Sequence, residues 1–456
     1  MIMSEKKILI STPEELAGSS YSCSCGKVHT VATKKIVLEE GALAKVYEVI
    51  QALGLGSHIL LVADQNTWRV AGRKLEEELI GKGLQTKSCI MAPEQLHADE
   101  RFIGHILTAL EDDTECIIAV GSGTINDAVR FASFRLHIPY IIVATAPSMD
   151  GYASTVSPLL VEGYKKTFIA VHPVAIIGDL LVIKEAPQEM LAAGFGDMLG
   201  KATALADWML GSSMENEYYC PVIVKLACKA MQQCVSCVDA LARRESDAIK
   251  HLMEGLILSG LVMQMVGNSR PASGAEHHLA HFWEMQHFMK GEDSPLHGIK
   301  VGVATPLIMK FYEKVLALDE TALSIQAKDS QQLLLWKQQV QQCYGSLADM
   351  VLKESTNRYL SQIELEKKIQ RYTKEKKKIQ QEVGALFTIV KDGKNSMKKL
   401  KGPTTPMEMG IDLELLLSGL LYAKEVRARY TILQLADEMG LLERFAKEIV
   451  DEQQVM

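Results

Sequence analysis

Three short segments far apart in the chain carry residue types that do chemistry together: Gly194-Phe195-Gly196-Asp197-Met198, Glu276-His277-His278-Leu279-Ala280-His281 and Leu296-His297-Gly298. They offer a carboxylate and several imidazoles. His277 and His281 are four residues apart, so on a helix both side chains leave one face about one turn apart and can reach a single ion, or an ion and its substrate. Five of the twelve histidines fall between His277 and His297. One Asp with two His leaves coordination positions open, which marks a catalytic rather than a structural metal. Taken singly, Asp197 also reads as a helix N-cap after glycine and His297 as a loop histidine.

A second cluster, Cys23-Ser24-Cys25-Gly26 followed by His29, invites a zinc reading. Cys-x-Cys is tighter than the usual structural spacing, however, and no second cysteine pair lies nearby, so the plainer expectation is a local turn before a strand at Lys35–Leu38. Cys234 and Cys237 sit in a helical stretch with no strand before it and read as buried helix thiols.

These residues need elements to position them. From about Thr33 to Ile183, apolar and β-branched runs alternate with amphipathic stretches, which is α/β architecture with a parallel sheet. Strands are expected at Ile59–Ala63, Cys116–Val120, Tyr140–Ala144, Phe168–Val171 and Val174–Ile177, with apolar residues nearly continuous because both sheet faces are covered. A helix is expected near Thr67–Lys82. After Pro187 the apolar period becomes 3.6 and Leu, Met, Ala and Glu replace the β-branched runs. The expected domains are therefore an α/β unit over residues 1–185 and an all-α unit over 186–456. The Lys-, Glu- and Gln-dense stretch Leu365–Val383 reads as a solvated long helix.

Composition closes off other classes. At 456 residues the chain exceeds the size at which one core stops growing, which agrees with two domains. The net charge of -7, from 49 Lys+Arg and 56 Asp+Glu, comes without clustered basic residues among aromatics, so a nucleic-acid partner is not expected. Nine cysteines spread thinly through a long chain fit reduced thiols in the cytoplasm. The first ten residues lack a secretory pattern and no segment reaches about 18 uninterrupted apolar residues, so membrane insertion is not expected either. A helical domain of this size has room for a homodimer face.

The run Ile117-Ile118-Ala119-Val120 leads straight into Gly121-Ser122-Gly123-Thr124-Ile125-Asn126-Asp127 and then a helix. Without Cβ atoms, Gly121 and Gly123 let the backbone approach an anion closely, while the N–H groups and aligned dipoles at the helix start stabilise its charge. Asn126 stands where a third glycine would stand in the Rossmann pattern and there is no Walker lysine, so a plain tight turn remains open. Asp64, directly after the strand Ile59–Ala63, suits the hydroxyls of a ribose and repels a 2'-phosphate; its other reading is an N-cap. Thr145-Ala146-Pro147-Ser148-Met149-Asp150-Gly151 follows another strand and puts hydroxyls and a carboxylate at the sheet's carboxyl edge, where ligands bind in open α/β folds. Asp150 by itself is an ordinary turn carboxylate.

The segment Thr145-Ala146-Pro147-Ser148-Met149-Asp150-Gly151-Tyr152-Ala153-Ser154, with Gly-Phe-Gly-Asp at 194–197, Arg-Pro-Ala-Ser-Gly-Ala-Glu-His at 270–277 and Leu-His-Gly at 296–298, resembles the bacterial branch of sn-glycerol-1-phosphate dehydrogenases. That group is similar to iron-containing alcohol dehydrogenases, glycerol dehydrogenase and dehydroquinate synthase. The resemblance covers nearly the whole chain and includes Gly402-Pro403-Thr404-Thr405-Pro406 and Arg427-Ala428-Arg429-Tyr430-Thr431; the Lys-rich stretch is less typical. It implies a dehydroquinate synthase-like fold with an N-terminal nucleotide domain and a helical metal-binding domain. By position, Asp197, His277 and His297 bind the metal, His281 contacts substrate and relays the proton, Asp150 contacts a substrate hydroxyl and Ser154 the cofactor. His278, turned a further 100° around the helix, matches no ligand position.

The implied reaction is reversible hydride transfer between NAD or NADP and a phosphorylated triose, dihydroxyacetone phosphate, giving sn-glycerol 1-phosphate with a divalent metal as Lewis acid. The branch is associated with nickel and its archaeal relatives with zinc; the donor set also suits Fe(II). A phosphate needs a cation, for which Arg270 is the first choice and Lys201 and Lys300 follow, although lysines are more often solvated. The rivals are a glycerol or alcohol dehydrogenase or a dehydroquinate-synthase-like enzyme of the same fold, a regulatory nucleotide-binding module without turnover, and a metal-binding structural protein.

Overall fold

The structure, a computed structural model, describes residues 2–92, 96–161, 164–319, 325–355 and 359–454. The described strands are β1 (Ser20–Ser22), β2 (Val28–Thr30), β3 (Lys35–Glu39), β4 (His58–Asp64), β5 (Gln85–Met91), β6 (Cys116–Gly121), β7 (Tyr140–Ala144), β8 (Val156–Val161), β9 (Tyr164–Ile169) and β10 (Ala175–Asp179). Six of them form one parallel sheet in the order β3-β10-β7-β6-β4-β5. Its central strands carry no exposed residue because helices cover both faces: Cys116–Gly121 and Tyr140–Ala144 are buried throughout. β5 alternates exposed and half-buried residues, as an edge strand does. The chain leaves β4 toward β5 on one side and β6 toward β7 on the other. The gap between the carboxyl ends of β4 and β6 is therefore the point where the strand order reverses and where such sheets bind ligands.

One expected strand is different in the fold. Phe168–Val171 was expected in the sheet, but β9 ends at Ile169 and pairs antiparallel with β8 in a separate hairpin. An apolar run satisfies a hairpin that packs on one side as well as a strand covered on both. Phe168 meets Phe131 with ring centroids 5.2 Å apart, while Ile169 stands 76% exposed. Cys23–Lys27 is the turn of a second small hairpin, β1–β2.

Beyond Ile183 all described elements are helical. Packing divides the chain into two compact units: residues 1–198, 221–269 and 399–401 in the first, 199–220, 270–398 and 402–456 in the second. The helices Pro221–Ser236 and Ser246–Val266 thus belong to the same unit as the sheet although their composition is that of the helical half. The division falls inside the long helix Gln188–Glu215, after Met198. Ser246–Val266 is the one described helix long and apolar enough to cross a membrane, and 78% of its apolar window is buried within the fold. Gln362–Val390 is the Lys-rich helix; its stripe of Leu365, Ile369, Tyr372, Ile379, Val383, Leu386 and Val390 is buried at helical spacing, leaving most of the charges to solvent while Lys368 pairs with Glu438 at 2.9 Å.

Candidate active site

In the first unit, the turn after β6 opens the helix Gly123–Leu136, and the segment after β7 lies beside it. Thr145 donates its N–H to the Gly121 carbonyl at 3.1 Å. The Ser122 and Ser148 hydroxyls hydrogen-bond each other, and Tyr152 donates its hydroxyl to the Ala146 carbonyl. A Cβ at Gly123 would stand 3.3 Å from Met149 Cγ, so the glycine keeps this turn close to the 145–151 loop. The hydroxyl and glycine positions expected to hold a dinucleotide, Gly121, Ser122, Gly123, Thr124, Thr145, Ala146, Pro147 and Ser148, are thereby collected at one carboxyl edge of the sheet.

Other expected contacts have structural work of their own. Asp64 ends β4 and caps the next turn, its Oδ1 accepting from Asn66 N at 2.6 Å and Thr67 N at 3.1 Å. Asn126, fully buried, accepts from the Tyr140 hydroxyl at 3.3 Å and donates to the Gly151 carbonyl at 3.4 Å. Asp127 accepts from Arg130 at 2.6 Å. The Ser154 hydroxyl closes a local turn with Val156. Arg130 itself escaped the sequence reading. Its buried guanidinium donates to Tyr140 Oη at 3.1 Å, to the Val156 carbonyl at 2.9 Å and to the Gly151 and Tyr152 carbonyls, and so braces the loop that carries Asp150. Burial pushes the Tyr140 phenol up to about 12, so it stays a donor in this network.

Asp150 and Asp197 come together. The Asp150 N–H donates to Asp197 Oδ2 at 2.9 Å, and Ser259 donates its hydroxyl to Asp150 Oδ2 at 2.7 Å. The glycine three residues before Asp197 makes this approach feasible, since a Cβ on Gly194 would lie 1.8 Å from the Pro147 carbonyl oxygen. Ser259 lies in a sequence of ordinary helical periodicity, and nothing local signals its role.

In the second unit, three imidazoles converge. His277 and His281 project from the helix Ala275–Met289, and His297 opens the helix His297–Leu316. Ring centroids are 5.1 Å apart for His277–His297 and for His281–His297, and 6.2 Å for His277–His281. Carboxylates orient two of them, His277 and His281. Glu276, fully buried, holds His277 Nδ1 at 2.7 Å, while its oxygens accept from Gly274 N at 2.7 Å and the Thr203 hydroxyl at 2.6 Å. Nδ1 is therefore the protonated nitrogen, and Nε2 keeps its lone pair for a ligand. Glu284 Oε2 lies 3.3 Å from His281 Nδ1 and its Oε1 3.7 Å from Lys300 Nζ. Glu284 follows His281 by three residues, a spacing legible in the sequence. Burial pushes the Glu276 carboxyl up, and burial followed by the charge of Glu276 raises Asp207 to about 7.

Arg270, expected to hold a phosphate, is engaged elsewhere. Its fork closes on Glu217, with Nε to Oε1 at 2.6 Å, and Nη2 also donates to the Tyr430 carbonyl at 2.9 Å. It fastens the 430 segment to the start of the histidine helix. Arg429 joins it, donating to the Ser273 carbonyl at 3.2 Å, and burial lowers its guanidinium to about 9. Lys201 donates to the Ala272 carbonyl at 3.1 Å, and Lys300 to the Ser294 hydroxyl at 2.6 Å. His278 is fully buried.

A parallel sheet with a glycine turn, followed by helices that present clustered histidines, is the fold of the iron-containing alcohol dehydrogenases. Residues 37–187 match the family described as iron-containing alcohol dehydrogenase. Solved structures share the fold: glycerol dehydrogenase from Schizosaccharomyces pombe at a TM-score of 0.59 and 17% identity, covering 92% of this chain and 91% of that one, and maleylacetate reductase from Rhizobium sp. strain MTP-10005 at 0.59 and 15%, covering 92% and 97%. Closer in sequence are glycerol-1-phosphate dehydrogenase (NAD(P)+) of Geobacillus stearothermophilus, 39% identical over 67% of this chain and 76% of that protein, and its namesake of Bacillus licheniformis, 32% identical over 95% and 96%. The chain belongs to the glycerol-1-phosphate dehydrogenase family.

Proposed function

We propose that this chain reversibly reduces dihydroxyacetone phosphate to sn-glycerol 1-phosphate with NAD(P)H, with a divalent metal held by Asp197, His277 and His297. The observation that carries the reading is the oriented histidine cluster: Glu276 holds Nδ1 of His277 and leaves Nε2 for a ligand, beside the ring of His297. Thr203, which donates to Glu276, sits on the same helix as Asp197, little more than a turn and a half further on. Two imidazoles and a carboxylate are a borderline donor set, suited to nickel or zinc and acceptable to Fe(II).

With the groups bound, a divalent metal would supply Lewis acidity and the nicotinamide would supply hydride. The chain's own residues do the rest. Gly121, Gly123 and the N–H groups opening the Gly123–Leu136 helix receive the diphosphate, with Ser122, Ser148 and Thr145 around it. Asp150, oriented by Ser259, accepts a substrate hydroxyl. His281 hands the proton to the developing alkoxide from its Nε2, with Glu284 steadying Nδ1 and stabilising the charged ring. Because Arg270 is closed on Glu217, the substrate phosphate falls to Lys300, which shares Glu284 with His281. The reading goes with a cytoplasmic enzyme.

Anaerobic metal reconstitution followed by NADH oxidation with dihydroxyacetone phosphate tests it, comparing wild type with His277→Ala and Asp197→Asn. Both variants are expected to lose turnover; undiminished rates in both would rule the metal set out. Equal rates with glycerol or simple alcohols would instead favour a related dehydrogenase of the same fold.

A further inference from the structure

The first unit brings together a second set of metal donors. β1 and β2 pair antiparallel with Tyr21 opposite His29 and Ser22 opposite Val28. Side chains alternate along a strand, so Tyr21, Cys23 and His29 share a face, and the Tyr21 and His29 rings stand 5.1 Å apart. The turn is tight: Gly26 donates its N–H to the Cys23 carbonyl at 3.0 Å and adopts φ +86°, a left-handed conformation natural to glycine, while Cys23 N–H donates to Lys27 at 2.9 Å. It folds Cys25 back over the same face. Ligand atoms of Cys23, Cys25 and His29 all lie within 4.8 Å of one another. A tetrahedral zinc with Zn–S of about 2.3 Å and Zn–N of about 2.0 Å sets its sulfur and nitrogen about 3.5 Å apart. Cys25 Sγ and His29 Nε2 are 3.4 Å apart. Nδ1 of His29 donates to the Met265 carbonyl at 2.7 Å, which fixes the tautomer that turns the Nε2 lone pair toward the sulfurs, the arrangement of a metal-ligating histidine.

We propose that this chain carries a second zinc site, distinct from the catalytic metal, with Cys23, Cys25 and His29 as its ligands. Glu5 accepts the N–H of Ser24 in the middle of the turn and holds it in place. Two thiolates and one imidazole are a soft donor set that suits zinc, and binding releases the thiol protons to solvent. Its purpose follows from what it staples. Met265 is held by His29, and its neighbour Gln264 donates to the Ala153 carbonyl at 2.6 Å and to Thr33 Oγ1 at 3.0 Å. The zinc therefore anchors the end of the Ser246–Val266 helix, whose Ser259 orients Asp150.

The test uses the full-length protein and reads metal directly. His277→Ala is expected to retain one zinc per chain by elemental analysis. Cobalt substitution of the same variant is expected to give the sulfur-to-cobalt charge-transfer absorption that an Asp/His set lacks. Cys25→Ser should lose that equivalent and that band, while Cys343→Ser keeps both. If Cys25→Ser does not fold, Cys25→His, which keeps the number of donors, should hold the metal with a weaker band. A zinc-free His277→Ala protein without the band overturns the proposal, as does a band that persists unchanged in Cys25→Ser or Cys25→His; the Cys25–His29 contact is then an ordinary hydrogen bond. Because the band reports sulfur alone, it stands or falls independently of the catalytic metal set.

Discussion

Glu276→Gln separates the carboxylate that orients the metal ligand from the ligand itself. Glu276 makes three short contacts, to His277 Nδ1 at 2.7 Å, Gly274 N at 2.7 Å and the Thr203 hydroxyl at 2.6 Å. Glutamine keeps a carbonyl oxygen for the two N–H donors, and the Thr203 hydroxyl can rotate to accept from the new amide. The shape survives and the charge is lost. Removing such a partner of a metal-bound histidine weakens metal binding about 10- to 100-fold, or about 1.4–2.8 kcal/mol at 1.4 kcal/mol per decade. Folding should not suffer, because the carboxylate is fully buried and its charge already opposes ionisation of Asp207. The expected outcome is a 10- to 100-fold rise in the metal dissociation constant, measured by competition with a chromophoric chelator. Turnover at saturating metal should stay near wild type, and the unfolding temperature of the metal-free protein should hold or rise. Metal affinity within twofold of wild type would refute the claim that Glu276 orients His277.

Three further outcomes are expected. Gly194→Ala forces a Cβ to within 1.8 Å of the Pro147 oxygen, so the 147–150 loop must move by more than 1 Å; about 1–3 kcal/mol of stability and several-fold in substrate KM should be lost, and a variant with native unfolding temperature and KM would show that the approach is unimportant. His281→Asn should lower kcat by about 10²–10⁴ and remove the limb of its pH profile that reports the proton donor, with metal content unchanged; an intact pH profile would take the proton role away from His281. Asp207 holds its proton to about pH 7 in the folded chain, against 3.8 ordinarily, so the stability that proton confers is full below about pH 4 and is lost as pH rises toward 7. Urea unfolding across that window should therefore show a downward slope in wild type, on the order of 4 kcal/mol in all, that is much reduced in Asp207→Asn; parallel curves for the two proteins would mean that Asp207 ionises normally.

Much of the site was legible because its signals are local. The strand Cys116–Val120 running into Gly121-Ser122-Gly123 needs only backbone sterics to be read as a strand, a turn and a helix start, and the i, i+4 spacing of His277 and His281 needs only helical geometry. Glu284 is equally local, three residues after His281, but only the fold shows that its carboxylate meets the imidazole rather than solvent. Phe168–Val171 was misassigned because a bare apolar run does not say whether one face or two will be covered.

By itself, the sequence determined the class of each element, the alternating and helical halves, and the types of donor available, since periodicity and side-chain chemistry act over a few residues. Only the tertiary structure decided which polar groups satisfy one another. Arg270 meets Glu217 from 53 positions away and Ser259 meets Asp150 from 109, pairings that spacing does not encode. The same holds for His29 and Met265, 236 positions apart, which turn a tight cysteine pair from a plain hairpin turn into a set of oriented donors. Burial is the physical reason: once a charged or polar group leaves water it must find a partner, and the fold determines which one lies within reach.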